Sequence, residues 1–573
     1  MNAGRARSRW VLAVTAIGLA AATALSPTAG ARPIDGAKAA SKHRLKHSRV
    51  AAASVTRPKR VLIVLFDGMR PEMANRFDMP NFRSLRDSGV NFKDAYVGHL
   101  HSVTVIAHNV IVSGLEPRHM GWTDEVHRDT ANILGGGVDT LYATGSLSRD
   151  QFGALAAANN YPKMSDYLRA ANAGSKFVMI GWKSYPSDSV AGNSAADDIN
   201  VRMSSRGAAA DCPLLGGKWR SPTGKNVPTY LTAPKCGRFY VNSDSANSYG
   251  TSTTSPAWAY PLDGNRSVPG LDPEHLGGDT WVADGAIAMM EHENWSGMFV
   301  TLGGIDKASH MWGPDDSTAP TPGSPEEQAR LSFLAHNADV QLGKLLDKLR
   351  ALGQLDDTLV VLTADHGFQS NSRAWYGDDA LGQAWVRATY GNLVNDANYA
   401  AVVPQLQPLV DSANFQAISG SVLLTEYLID RSVAAKKAAA KLNRSTPGVI
   451  ATYWRDGDHY VLDSSRTSTP MSASERSWWS KRAQELVNSM AADFGPDVIG
   501  LLADRVGYGA YGDHGGAQEA VQRIPMVFWN PRIEREVSDA RFRQRDILPT
   551  ALRALGIPLT QPVDGRAVTL PFE

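Results

Sequence analysis

From Arg60 onward the chain alternates short apolar, β-branched runs with stretches of helical periodicity. A strand that is apolar on both faces must be covered on both, and helical crossovers do this. The pattern therefore predicts an α/β fold with a mainly parallel central sheet and helices on both faces. The candidate central strands are VLIVLFD ending at Asp67, FVMIGW ending at Trp182, FVTLGGID ending at Asp306, TLVVLTAD ending at Asp365 and IPMVFW ending at Trp529. Between the third and fourth, Leu331, Leu334, Ala338, Leu342, Leu345, Leu349 and Leu352 recur at helical spacing, with Gly353 as the stop. These leucines read as core. Two stretches break the alternation, 187–275 and 369–506, the second with a helical segment at 432–442. Both read as insertions on the sheet rather than independent domains.

The rest of the sequence bounds the setting. Arg5, Arg7 and Arg9 precede an apolar run at 11–25, and Ala29-Gly30-Ala31 follows as a cleavage site, so residues 1–31 read as an export signal. A run of about 15 residues is short against the roughly 20 that span a bilayer. The mature chain is expected to begin near Arg32 and to be secreted, with a basic flexible linker at 32–57, one large domain at 58–573 and no transmembrane segment. The 58 basic and 57 acidic side chains nearly cancel, which argues against nucleic acid or an anionic membrane as the main partner. Any anion site must be local. The two cysteines, Cys212 and Cys236, lie in a Gly- and Ser-rich stretch, and an oxidising compartment favours a disulfide between them.

In open α/β sheets ligands bind beyond the carboxyl ends of the strands, so an Asp closing a strand stands at the functional edge. Asp365 is followed at once by His366, a carboxylate and an imidazole that together suit a zinc-like ion. Asp306 and His310 are four apart and would share one face of a helical turn. His514, in the Gly-rich GDHGG segment, stands just before IPMVFW. All fall beside strand ends of one sheet, and two metal ions would account for them. The segment HSVTVIAHNVIVSGLEP then offers Ser102, Thr104 and Ser113 as hydroxyl nucleophiles, which need a metal or base for activation.

Taken in order, DGMRP, the threonine segment, DKASH, TADHG and GDHGG resemble the motifs of type I phosphodiesterases and nucleotide pyrophosphatases of the alkaline phosphatase superfamily. The resemblance runs from about Arg60 to Arg566 with gaps at the two insertions, and also covers stretches such as MPNFRSLRDSGVNF and DILPTALRALGIP. It implies an alkaline-phosphatase-like fold and hydrolysis of a small phosphate ester. Counting back from Gly114 of the family's (T/S)-G-L-x-P motif selects Thr104 as nucleophile, with His108 at the family's histidine position. By the same matching Asp67, Thr104, Asp365 and His366 would hold one divalent ion, and Asp306, His310 and His514 a second, with zinc best suited to the donors. The implied chemistry is in-line displacement through a phosphothreonine.

Three departures bear on the substrate. Ile106-Ala107 replaces the family's Pro-Asn before the histidine. Where the family places an Asn on a phosphate oxygen, ungapped counting from Thr104 reaches Glu125, a carboxylate that would repel the anion. Either the loop shifts to bring in His127 or Asn132, or another group such as Lys183, just past FVMIGW, holds the phosphate. A lysine there would favour monoesters, whereas the overall resemblance favours phosphodiesterase or nucleotide pyrophosphatase activity. A metal-binding relative without turnover is the rival of another class. Trp258, Tyr260, Trp375, Trp385 and Trp454, in the inserted stretches, could stack on a base or aryl group but read first as packing.

Overall fold

The computed structural model describes the chain from residue 57 onward, apart from 182, 191–198, 204–218, 221–229, 231–276, 315–324, 372–413, 421, 447, 508–511 and 573. The expected export signal and almost all of the linker lie outside the described residues, as do Cys212, Cys236, Trp258, Tyr260, Trp375 and Trp385.

The central sheet has nine strands: β1 (Arg60–Phe66), β2 (Val90–Tyr96), β3 (Lys176–Gly181), β4 (Ile199–Met203), β5 (Trp219–Arg220), β6 (Trp295–Leu302), β7 (Thr358–Thr363), β8 (Met526–Trp529) and β9 (Glu536–Arg543). Their order is β9-β2-β8-β7-β1-β6-β3-β4-β5. From β7 through β1, β6 and β3 to β4 every pairing is parallel. All five predicted strands are present in this sheet. β8 differs in direction, antiparallel to both β7 and β2. An apolar run reports burial on both faces but not chain direction, so periodicity could not foresee this.

Leu62, Ile63, Val64, Leu65 and Phe66 of β1 are fully buried. Each such side chain contributes roughly 1.5–3 kcal/mol of burial free energy, which is why the middle of the sheet forms a fixed platform. The long helix Pro325–Ala351 buries Leu331, Leu334, Ala338, Leu342, Leu345 and Leu349 as predicted. Leu352 lies past its end and is exposed, where Gly353 turns the chain with φ +65°.

The stretch after Phe415 builds a second, antiparallel sheet, in the order Phe415–Gly420, Leu423–Leu428, Val498–Leu502, Val449–Asp456, His459–Ser464. Helix Val433–Asn443 accompanies it, its N-terminus capped by Ser432 Oγ accepting from the Ala435 amide. Trp454 is buried in this sheet's own core rather than offered to a ligand. Among the described residues no helix is long and apolar enough to cross a membrane.

Candidate metal and phosphoryl site

The site gathers where the parallel strands end. Asp67 directly follows β1, and Asp365 and His366 follow β7 after Ala364. Asp306 was expected to close a strand, but β6 stops at Leu302 and Asp306 occupies the first turn of helix Gly304–Trp312. His310 stands one turn further along that helix, and its Nε2 is 3.2 Å from Asp306 Oδ1. The loops meet closely enough to exclude side chains at two glycines. A Cβ on Gly68, already at φ +75°, would fall 3.1 Å from Asp306 Cα, and one on Gly512 would fall 1.9 Å from the Ser309 carbonyl oxygen.

Thr104 opens helix Thr104–Ser113, so its hydroxyl sits at the positive end of a ten-residue helix. The helix stops at Gly114, with φ +69°. His108 anchors its first turn: Nδ1–H donates to the Thr104 carbonyl at 2.7 Å, and Nε2 accepts from the Thr301 hydroxyl of β6 at 2.8 Å. Burial pushes the His108 pKa down to about 4 despite Asp365 nearby, keeping the ring neutral. The histidine therefore positions Thr104 through its backbone.

Three imidazoles converge with a shared orientation. His366 Nδ1 faces the Gly367 carbonyl at 3.0 Å, His310 Nδ1 the Gly512 carbonyl at 3.1 Å and His514 Nδ1 the Ser102 carbonyl at 3.1 Å. A carbonyl can only accept, so each Nδ1 carries the hydrogen and each Nε2 presents a lone pair inward. Backbone carbonyls orient metal-binding imidazoles in this way. The Nε2 atoms of His310 and His514 lie 3.2 Å apart. Two lone pairs at that distance repel unless a cation lies between or beside them.

The carboxylates make the same demand. Asp67 Oδ1 and Asp365 Oδ2 are buried and accept no hydrogen bond among the described residues. Burial, then Asp306 and Asp365, hold the Asp67 pKa well above the ordinary carboxylate range, outweighing Lys183. Burial opposes ionisation of Asp365 too, but His366, His108 and Lys183 together lower its pKa. Burial lowers the pKa of both His366 and His514, leaving them neutral and able to ligate. The candidate ligand atoms of Asp67, Asp365 and His366 fall within 4.8 Å of one another, as do those of Asp306, His366 and His514. Buried oxygens and inward imidazole lone pairs fit divalent cations.

Lys183 completes the centre. Its Nζ is 3.1 Å from Thr104 Oγ1, 2.7 Å from Asp306 Oδ2 and 2.7 Å from Asp67 Oδ2. Thr104 Oγ1 is also 3.5 Å from His366 Nε2. All seven residues matched by motif spacing, and Lys183, thus meet in one place. Sequence reading passed over three residues beside them. Asp513, in GDHGG, accepts from the His514 amide at 2.8 Å and groups with His310 and His514 as a candidate ligand. His101 and Asp124 form a buried ion pair at 2.5 Å. The position of Asp513 beside His514 could have suggested it, but nothing in the spacing joins His101 to Asp124.

Fold and site together define an alkaline-phosphatase-like hydrolase acting on phosphoric esters. Residues 61–516 match the type I phosphodiesterase / nucleotide pyrophosphatase family, and the chain belongs to that family. Among solved structures, the wild-type alkaline phosphatase PafA is similar at 17% identity and a TM-score of 0.55, over 90% of this chain and 99% of that one. Murine ectonucleotide pyrophosphatase / phosphodiesterase 5 is similar at 12% identity and a TM-score of 0.50, over 88% and 97%. An inactive variant of the murine protein in complex with AMP is similar at 13% identity and a TM-score of 0.50, over 89% and 97%. A comparison with curated protein sequences finds no significant match.

Proposed function

We propose that the chain is an exported phosphomonoesterase in which Thr104 Oγ1 attacks phosphorus. The observation that carries this reading is the contact of Lys183 Nζ with Thr104 Oγ1 at 3.1 Å. A phosphoryl group attacked by Thr104 must lie beside that ammonium. A monoester dianion carries one more charge than a diester and gains more from a cation held in a buried site. In this scheme Asp67, Thr104, Asp365 and His366 would hold one divalent ion, and Asp306, His310 and His514 would hold another, zinc being the metal the donors would suit best. Bound ions would stabilise phosphoryl charge and lower the pKa of water.

The protein's own groups then have distinct tasks. His108 fixes the first helical turn, so that Thr104 Oγ1 faces the reacting phosphorus. Lys183 donates to a non-bridging oxygen. Displacement of the alcohol leaves phosphothreonine, and water releases inorganic phosphate and restores the hydroxyl.

A second reading, hydrolysis of phosphodiesters or nucleotide pyrophosphates, is supported by the family match. The murine relative's complex with AMP supports a nucleotide as one form of substrate. Initial rates of the zinc-loaded protein on p-nitrophenyl phosphate and bis(p-nitrophenyl) phosphate separate the two. A higher kcat/KM on the monoester is expected. The reverse order overturns the monoesterase reading, and no turnover of either favours a binding protein.

A further inference from the structure

Two segments cross at the edge of this site. One carries His101, Ser102, Val103 and Thr104; the other carries Asp513, His514 and Gly515. They are tied where His514 Nδ1–H donates to the Ser102 carbonyl at 3.1 Å. His101 stands at φ +51°, in the left-handed region uncommon for a residue with a side chain. Such backbone cost is retained where surrounding structure enforces a special placement. This placement lays the imidazole over the backbone at Gly515, itself at φ +109°, where a Cβ would lie 3.1 Å from His101 Cδ2 and 3.4 Å from its Nε2.

Asp124 holds the other side of the ring. Its Oδ1 is 2.5 Å from His101 Nδ1, and the Glu125 amide nitrogen is 3.3 Å from that same atom. The shorter, charge-assisted contact decides the tautomer, placing a hydrogen on Nδ1. Asp124 is fully buried and fixed from the second sheet, where Thr425 Oγ1 donates to its Oδ2 at 2.8 Å and the Tyr427 hydroxyl lies 3.1 Å from the same oxygen. A carboxylate clamped in this way favours the imidazolium form, which carries a second N–H at Nε2. Among the described residues no group hydrogen-bonds to that atom.

From this arrangement we propose that His101, oriented by Asp124, donates from Nε2 to an oxygen of the phosphoryl group bound at Thr104, and so strengthens binding of phosphate dianions. The inference rests on the reading of Thr104 as the point of attack, but concerns a residue outside the metal and nucleophile set. Asp124 acts through His101 and is a positioning residue. The second sheet, by supplying Thr425 and Tyr427, then helps set the substrate preference of the first. The carboxylate of Glu125 need not face the phosphate if the adjacent Asp124 delivers a cation instead.

The test uses the full mature chain loaded with zinc and titrates inorganic phosphate calorimetrically into wild type, His101→Gln, His101→Ala and Asp124→Asn. A charge-assisted hydrogen bond lost from the complex corresponds to a roughly 10- to 100-fold weaker phosphate Kd. That loss is expected in both His101 variants and in Asp124→Asn, with His101→Gln still cooperatively folded, though less stable for want of the buried ion pair, and its zinc content at the wild-type value. On esters, His101→Gln should lose more kcat/KM with p-nitrophenyl phosphate than with bis(p-nitrophenyl) phosphate, a split that a merely structural role would not produce. Unchanged phosphate affinity in folded His101→Gln overturns the proposal, as does a wild type that binds no phosphate. If wild type binds phosphate in a His101-dependent way yet hydrolyses neither ester, the reading of catalysis fails and this one stands.

Discussion

Lys183 Nζ lies within 3.1 Å of Thr104 Oγ1 and 2.7 Å of a carboxylate oxygen on each of Asp67 and Asp306, so one ammonium touches the expected nucleophile and two of the candidate metal ligands. The strand β3 delivers it, ending at Gly181. Replacement by Met keeps most of the aliphatic stem and removes the charge. Lys183→Met should lower kcat/KM for p-nitrophenyl phosphate on the order of 100-fold, as loss of one transition-state donor does elsewhere. The loss on bis(p-nitrophenyl) phosphate should be under about tenfold, because less charge is left unbalanced. Equal losses on both substrates would count against a charge-matching role.

Thr104 makes a sharper test, because two other hydroxyls share its segment. Ser102 Oγ points to the Gly516 carbonyl at 3.4 Å, and Ser113 Oγ accepts from the Leu115 amide at 3.3 Å. Neither has the lysine contact. Thr104→Ala should lower turnover by roughly 1,000-fold or more, and acid-quenched samples should lose the phosphothreonine signal in mass spectrometry. Zinc content should stay at the wild-type level, because Asp67, Asp365 and His366 remain. Phosphorylation appearing on Ser102 or Ser113 in the wild type would refute the assignment.

Much of this site could be read from the sequence because its parts sit at fixed distances from strong strand signals. Asp67 and Asp365 are pinned by β1 and β7, whose apolar runs have no other good reading. The residues alone leave Ser102, Thr104 and Ser113 open, and it is the family resemblance that selects Thr104 by its distance from Gly114, the glycine that ends the helix. Lys183 was legible as a candidate only, because a lysine after a strand is usually solvated; burial beside two carboxylates is a tertiary fact. The pair of His101 and Asp124 was illegible. It depends on a left-handed residue and on hydroxyls some three hundred positions away in the second sheet. Likewise the direction of β8 follows from how the chain returns to the sheet, which no local pattern encodes.

Removal of metal should affect stability as well as activity. Without cations, Asp67, Asp306 and Asp365 repel one another in a buried space, and burial with that repulsion is what raises the Asp67 pKa. An ion that binds only the folded chain stabilises it by about 2.7 kcal/mol at a hundred times its Kd. Exhaustive chelation should abolish hydrolysis and lower the thermal midpoint by a few degrees, both restored by added zinc. Full activity in excess chelator, with no metal found on analysis, would exclude the metal-dependent scheme.

The second sheet has its own electrostatic pin. Asp497 is fully buried, with Oδ2 2.9 Å from Arg128 Nη1 and Oδ1 3.0 Å from Arg455 Nη2. The two guanidiniums lower its pKa against the opposing effect of burial. Removing the carboxylate takes from the buried Arg128 its ion-pair partner, while Arg455 keeps Asp493 at 3.0 Å; deleting one partner of a buried pair costs about 3–5 kcal/mol. Asp497→Ala should therefore unfold at markedly lower denaturant than wild type. A shift below about 1 kcal/mol would mean that water reaches these arginines.

His127 predicts how acid acts on the fold. It lies on the strand Val126–Asp129, buried, with neither ring nitrogen hydrogen-bonded among the described residues and the Phe494 ring 6.0 Å away. Burial pushes its pKa from 6.5 down to about 4, only partly offset by Asp129. His127 therefore takes up a proton from solvent at higher pH in the unfolded chain than in the folded one. Its effect is small above pH 6.5 and becomes progressively destabilising as pH falls from 6.5 toward 4. At about pH 4.5 the cost is roughly 2–3 kcal/mol by linkage. His127→Phe removes the titration and suits the neighbouring aromatic ring. The variant should match wild type within about 1 kcal/mol at pH 7.5 and exceed it by roughly 2–3 kcal/mol at pH 4.5, measured by urea unfolding of the chelated protein so that metal release does not contribute. Parallel pH profiles for the two proteins would show that His127 is solvated and takes no part in the acid response.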